Sequence, residues 1–145
     1  MTKIDDSQAV KEFKVKLSES ASITGVVSSK KSYNKKRVQK DVGLLYQAYE
    51  KYRNKKYGDV IIILKELENS QVRQIRAQAR YLLGLTMKDQ GELDLSMQIF
   101  EEVLLTMRGT VFSLLSLQQL IDNTRKLGLN KKNEYFTLLY ERFFN

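Results

Sequence analysis

Apolar residues recur along this chain at spacings of three and four, the period of helices that bury one face. The clearest stretch runs from Ala79 to Phe100. Leu83, Gly84 and Met87 fall on one face of a first helix, and Leu93, Ser96, Met97 and Phe100 on one face of a second, with a tight turn at Gly91 between them. A glycine inside a helix costs about 1 kcal/mol relative to alanine, so Gly84 calls for a packing reason. Gly84 and Ser96, small residues at facing heights, would let the two backbones approach closely, with Phe100 closing the gap below.

The same pattern flanks this pair on both sides. Leu44, Leu45, Ala48, Tyr49 and Tyr52 keep helical spacing, as do Val60, Ile61, Leu64 and Leu67 after a turn at Lys55-Lys56-Tyr57. Ala48 precedes Val60 by twelve residues, the interval from Gly84 to Ser96, and Tyr57 precedes Leu93 by 36. Asn69 to Arg73 reads as the connection. After Gly109, Val111 to Ile121 forms a largely apolar helix, and Asn130 to Asn133 opens a last one after Gly128. A further step of 36 carries Leu93 to Leu129, Phe100 to Phe136 and Val103 to Leu139. The expected fold is all-α, about three helix-turn-helix pairs over residues 42–145. The last helix is apolar on more than one face. With Phe136, Leu139, Tyr140 and Phe143 inward, Tyr135, Leu138 and Phe144 are left as a candidate oligomer or docking interface, unless they fold back onto Val111 to Ile121.

At its centre the chain resembles the tetratricopeptide repeat family. That pattern of Leu-Gly, a later small residue and an aromatic four positions on stands here as Arg80-x-x-Leu83-Gly84-x-x-Met87 followed by Ser96-x-x-x-Phe100. Arg80 replaces the leading aromatic and the closing proline is absent. The resemblance is specific for about residues 77–107 and covers 42–145 in architecture. It implies a short right-handed α-solenoid in which the first helix of each pair lines a concave groove for a peptide or helix of a protein partner. By register that groove holds Leu45, Tyr49, Tyr52 and Arg53 from the first pair and Tyr81, Leu85 and Lys88 from the second. Tyrosine suits such a surface, since it offers a large rigid area with a polar tip. One branch of the family clamps a C-terminal carboxylate with Lys and Asn; the matching positions here are Leu45, Tyr49, Tyr81 and Leu85, so no such clamp is expected. Two alternatives stand beside this: the tyrosines belong to the core between repeats, or the chain's own Phe13 to Val27 lies in the groove.

Residues 1–41 read differently, as a basic and partly disordered segment. Asp6 or Ser7 could cap a short helix near 7–17 carrying Val10, Phe13, Val15 and Leu17. Ser18 to Ser29 reads as a linker of extended character. A basic run follows, Lys30, Lys31, Lys35, Lys36, Arg37 and Lys40, with Tyr33 inside it and no acid before Asp41. Residues 1–41 hold ten Lys/Arg against five Asp/Glu, a net +5 of the chain's +8. Such a run is a candidate contact for nucleic acid or anionic lipid, or a solvated stretch that keeps the chain soluble.

Composition narrows the chemistry. The 145 residues suffice for one domain with a modest core, and the absence of proline suits helices. No cysteine excludes disulfides and thiolate metal sites, and no histidine removes the commonest general base near pH 7. Asp89, Glu92 and Asp94 flank a helix turn, where acids favour the next helix, and Glu101-Glu102 reads as a solvated face. No phosphate-binding glycine loop, metal-ligand spacing or nucleophile-base pair occurs. The expectation is a protein without catalytic residues, metal, cofactor or small-molecule substrate. No run of 18 apolar residues spans a membrane, and Asp5, Asp6 and Glu12 argue against a targeting peptide, which makes the cytoplasm the expected location. The function expected is a non-enzymatic adaptor or scaffold in complex assembly. A polyanion binder, a secretion-chaperone-like protein and an oligomeric structural subunit are the alternatives.

Overall fold

The computed structural model describes residues 6–23 and 33–144. Among these residues seven helices follow one another: α1 Asp6–Ile23, α2 Lys35–Arg53, α3 Tyr57–Leu67, α4 Arg73–Asp89, α5 Leu93–Thr106, α6 Val111–Lys126 and α7 Asn130–Phe144. No strand occurs among the described residues. The described residues are all-helical, as the periodicity requires, and no helix among them is long and apolar enough to cross a membrane.

Three of the turns are built alike. After α2, α4 and α6 the chain takes one residue in the left-handed region, Lys55 (φ 59°), Gly91 (φ 82°) and Gly128 (φ 69°). At each, the following N–H reaches back to the helix: Lys56 to the Lys51 carbonyl, Glu92 to Met87 and Leu129 to Thr124, all at 2.9 Å. The left-handed residue itself donates to the carbonyl three back, at Tyr52, Lys88 and Arg125. This paired bonding is the Schellman closure, which satisfies carbonyls a helix end would leave orphaned. The closures stand 36 and 37 residues apart, at 55, 91 and 128. Each sends the chain back antiparallel, so α2/α3, α4/α5 and α6/α7 form three pairs.

Each helix packs on its neighbour in sequence from α2 to α7, and α2 also packs on α4 and α4 on α6. One buried cluster joins Leu45, Ala48, Val60, Leu64, Leu67, Ile75, Ala79 and Leu82; a second joins Phe13, Met97, Phe100, Leu104, Leu117, Leu120 and Phe136. Half-buried Leu85 packs against both. Gly84 is the point of closest approach. A methyl group added there would lie 2.5 Å from the Phe100 ring. The ring, not Ser96, is the nearest side chain over Gly84. Ser96 is buried toward α6 instead, where its hydroxyl accepts from Asn123 Nδ2 at 2.9 Å and donates to the Leu93 carbonyl.

Arg80 ties three helices. Its guanidinium meets Glu102 of α5 at 2.9 and 3.0 Å and Glu68 beyond α3 at 3.3 Å. Glu101 pairs with Lys132 of α7. The Glu101-Glu102 dipeptide therefore joins ion pairs between helices and is not a plain solvated face.

The N-terminal segment departs from expectation. Helix α1 extends to Ile23, through serines expected to form an extended linker. It packs on α7 and α5, the second helices of their pairs. Of the stretch from Phe13 to Val27, residues 24–27 lie outside the described residues. Phe13 is 2% exposed and meets Tyr135 and Phe136 edge-on at 5.8 and 5.2 Å. Burying such a ring stabilises by about 1.5–3 kcal/mol, whereas an isolated helix of this length is marginal in water. The segment is helical because it has a surface to lie on. Helix α2 likewise begins before residue 42, at Lys35, with Asn34 accepting from the Arg37 N–H at 3.3 Å. Lys35, Lys36, Arg37 and Lys40 therefore form the first turns of α2.

Candidate functional site

The first helices of the three pairs, α2, α4 and α6, present side chains that meet across their boundaries. Gln78 of α4 donates to the Tyr49 hydroxyl of α2 at 2.9 Å, and the Tyr52 hydroxyl donates to Asp89 Oδ2 at 2.5 Å. Between α4 and α6, Lys88 Nζ donates to Asp122 Oδ2 at 2.6 Å and to Gln119 Oε1 at 2.7 Å. The Gln119 amide lies 3.4 Å from the Tyr81 hydroxyl. Tyr52 and Lys88 stand 36 residues apart in sequence, at corresponding places in successive pairs. Each clasps an aspartate of the helix beyond.

These bonds set the electrostatics of the face. Burial, and then the bond to Asp89, push the Tyr52 phenol well above its ordinary value of 10.0. Burial also raises Tyr81, against the lowering effect of Gln119. The Lys88 ammonium holds the Asp122 carboxyl below 3.8, with Lys126 adding to it from 3.3 Å. Both phenols are held neutral, Tyr52 donating to Asp89 and Tyr81 accepting from Gln119, and Asp122 is held ionised.

Four of the residues expected to meet a partner thus spend their polar groups on neighbouring helices: Tyr49, Tyr52, Tyr81 and Lys88. Tyr81 also tilts against Phe100 and Phe112, with centroids at 5.7 and 5.8 Å. All three tyrosines are half-buried at the boundaries between pairs, where the alternative reading placed some of them as core. Leu45 was expected on the open face and is instead core, 9% exposed. It joins the buried cluster that holds Val60 and Leu64 of α3 and Ile75, Ala79 and Leu82 of α4. Arg53 is exposed and Leu85 half-buried, so both remain open to a partner.

Two residues of this face lie outside the repeat register. Tyr46 is 73% exposed and Val42 is 38% exposed. Val42, Tyr46, Tyr49 and Arg53 follow one another at steps of four, three and four, one stripe along α2. That stripe follows from helical periodicity, whereas the repeat register points to Leu45 in place of Tyr46.

The other candidates divide. Lys35, Lys36, Arg37 and Lys40 are exposed at the start of α2, with no acid in its first turn. Lys30 and Lys31 lie outside the described residues. Tyr135 was expected uncovered but is half-buried: Phe13 covers its ring, Lys14 Nζ stands 5.2 Å from the centroid, and burial raises the phenol. Leu138 is 53% exposed. Phe143, expected inward, is 55% exposed, while the Phe144 side chain lies outside the described set. Among the described residues no group of three or more Asp or Glu is placed to hold a metal ion. Asp89 is engaged by Tyr52, and Glu92, at the start of α5, makes no capping bond with its side chain.

No protein-family model, curated protein or solved structure matches this chain.

Proposed function

We propose that the chain is a non-enzymatic adaptor of tetratricopeptide type, a short right-handed α-solenoid whose α2/α4/α6 face receives a peptide or helix of a protein partner. The observation that carries this reading is the recurrence of one turn, the Schellman closure at 55, 91 and 128, joined to the clasps that set α2, α4 and α6 side by side. Repeats of that kind cannot bury their apolar faces alone and stack into an array with one extended face. In this reading the clasped tyrosines hold the platform. Tyr46, Val42 and Leu85 offer apolar surface and Arg53 attracts acidic flanks. Arg80 stands in for the pattern's leading aromatic by bridging Glu68 and Glu102, which supplies electrostatically what ring packing would otherwise supply.

The test is a double substitution, Tyr46→Ala with Arg53→Glu, in a partner pull-down. Both side chains are largely free of packing, so helicity by circular dichroism should persist while capture drops tenfold or more, about 1.4 kcal/mol or more. Unchanged capture would reject the face. A second reading has its own observation: four exposed cations, Lys35, Lys36, Arg37 and Lys40, stand at the positive end of the α2 dipole. Polyanion binding there should weaken steeply as salt rises and vanish when the four are neutralised.

A further inference from the structure

The seat of α1 on α7 recognises two points. Asp6 lies in the first turn of α1, and Phe13 follows seven residues later, two turns on along the same side. The Asp6 carboxylate accepts from the backbone N–H groups of Lys131 at 2.8 Å and Lys132 at 3.2 Å. It thereby satisfies two of the donors that the start of α7 would otherwise leave orphaned. Lys131 Nζ adds a bond to Ser7 Oγ at 2.6 Å. Two turns along, the Phe13 ring fills the space between Tyr135 and Phe136.

Helix α1 also packs on α5, and Lys14 Nζ stands over the Tyr135 ring. Gln8, Lys11, Glu12, Val15 and Lys16 form its open outer side, with Val15 56% exposed. The complementarity lies instead in the seat, where the first turn of α7 carries no acid, its dipole is positive at that end, and Phe136 is fully buried beneath Phe13. We propose that this surface of α7 is a docking site for an amphipathic helix of a partner protein that bears a carboxylate and, seven residues on, an aromatic ring. Helix α1 is its resident occupant and yields the seat to that helix. This seat and the α2/α4/α6 face are separate surfaces, and either assignment can fail without the other.

Because α1 is tethered, an outside helix competes with it, and the apparent affinity falls with the fraction of chains whose seat is open. The probe is a labelled synthetic peptide of residues 5–23, titrated by fluorescence anisotropy into the full chain. The Phe13→Ala chain should bind it ~10-fold or more tightly than the wild type, with Asp6→Asn between the two. A peptide carrying Phe13→Ala should bind neither. The intact peptide should also raise the melting temperature of the Phe13→Ala chain toward that of the wild type, since it binds only the folded form. Equal affinity for all three chains would overturn the proposal. So would a Phe13→Ala chain that shows no cooperative melt and is not restored by peptide, because α1 would then be integral core. A concentration-dependent dimer of the wild type, abolished by Phe13→Ala, would make the occupant a second copy and overturn the assignment to a partner's helix.

Discussion

Gly84 shows how one residue can encode a contact. A glycine within a helix is costly, and the structure supplies the compensation as the Phe100 ring, which leaves no room for a methyl group. Gly84→Ala gains about 1 kcal/mol of helix propensity but must push aside a fully buried ring, at a cost of about 1–3 kcal/mol. A net loss is expected, visible as a lower urea midpoint with an unchanged slope; a higher midpoint would mean that Phe100 repacks freely. Lys55 presents the converse case, a non-glycine residue at φ 59° where the other two closures have glycine. Lys55→Gly should raise stability by about 0.5–1 kcal/mol, read from the same unfolding curve. The sequence exposed Gly84 as an anomaly, yet it misassigned the partner. Spacing identified Ser96 as a small residue, but not the buried Asn123 that claims its hydroxyl.

Among the elements, the six paired helices were legible because their apolar stripes are long and their turns carry Gly91 and Gly128. Helix α1 was not. Of its described side chains a single large apolar one, Phe13, is buried, and that one matters only once Tyr135 and Phe136 are in place across the chain. The clasps between pairs were half legible, since Tyr49, Tyr52 and Tyr81 read equally as surface anchors or as core between repeats until their partners on α4 and α6 are known. Their titration gives a prediction. Asp122 is depressed, so its contribution is present above the ordinary value of 3.8 and is lost as pH falls through the folded value. Its side chain is 41% exposed, and solvent screening keeps that contribution small. Tyr52 is raised, so its contribution is full below 10.0 and is lost as pH rises through the folded value. Thermal stability should therefore sag above pH ~10. Tyr52→Phe should lower the melting temperature at pH 7, since a bond to a charged acceptor is worth about 1.5–3 kcal/mol, and it should flatten the alkaline decline. An unchanged alkaline profile would remove Tyr52 as its source.

For the whole molecule, the three pairs share a platform of α2, α4 and α6, and α1 returns from the chain's beginning to cover the last helix. Two buried clusters meet at Leu85, which packs against both. Leu85→Ala should cost about 2–3 kcal/mol, toward the low end for a leucine truncation because the residue is only half-buried. A broadened or biphasic urea transition would accompany it if Leu85 couples the clusters; a sharp single transition at the lower midpoint would confine its role to local packing. The proposed adaptor role turns above all on which side of the helical pairs a partner would meet. A photo-crosslinking amino acid at Tyr46 on α2, compared with one at Ile62 on α3, measures this directly, since both positions are well exposed, at 73% and 66%. Adducts with the partner from position 46 and none from 62 are the expected result, and adducts from 62 with none from 46 would contradict it.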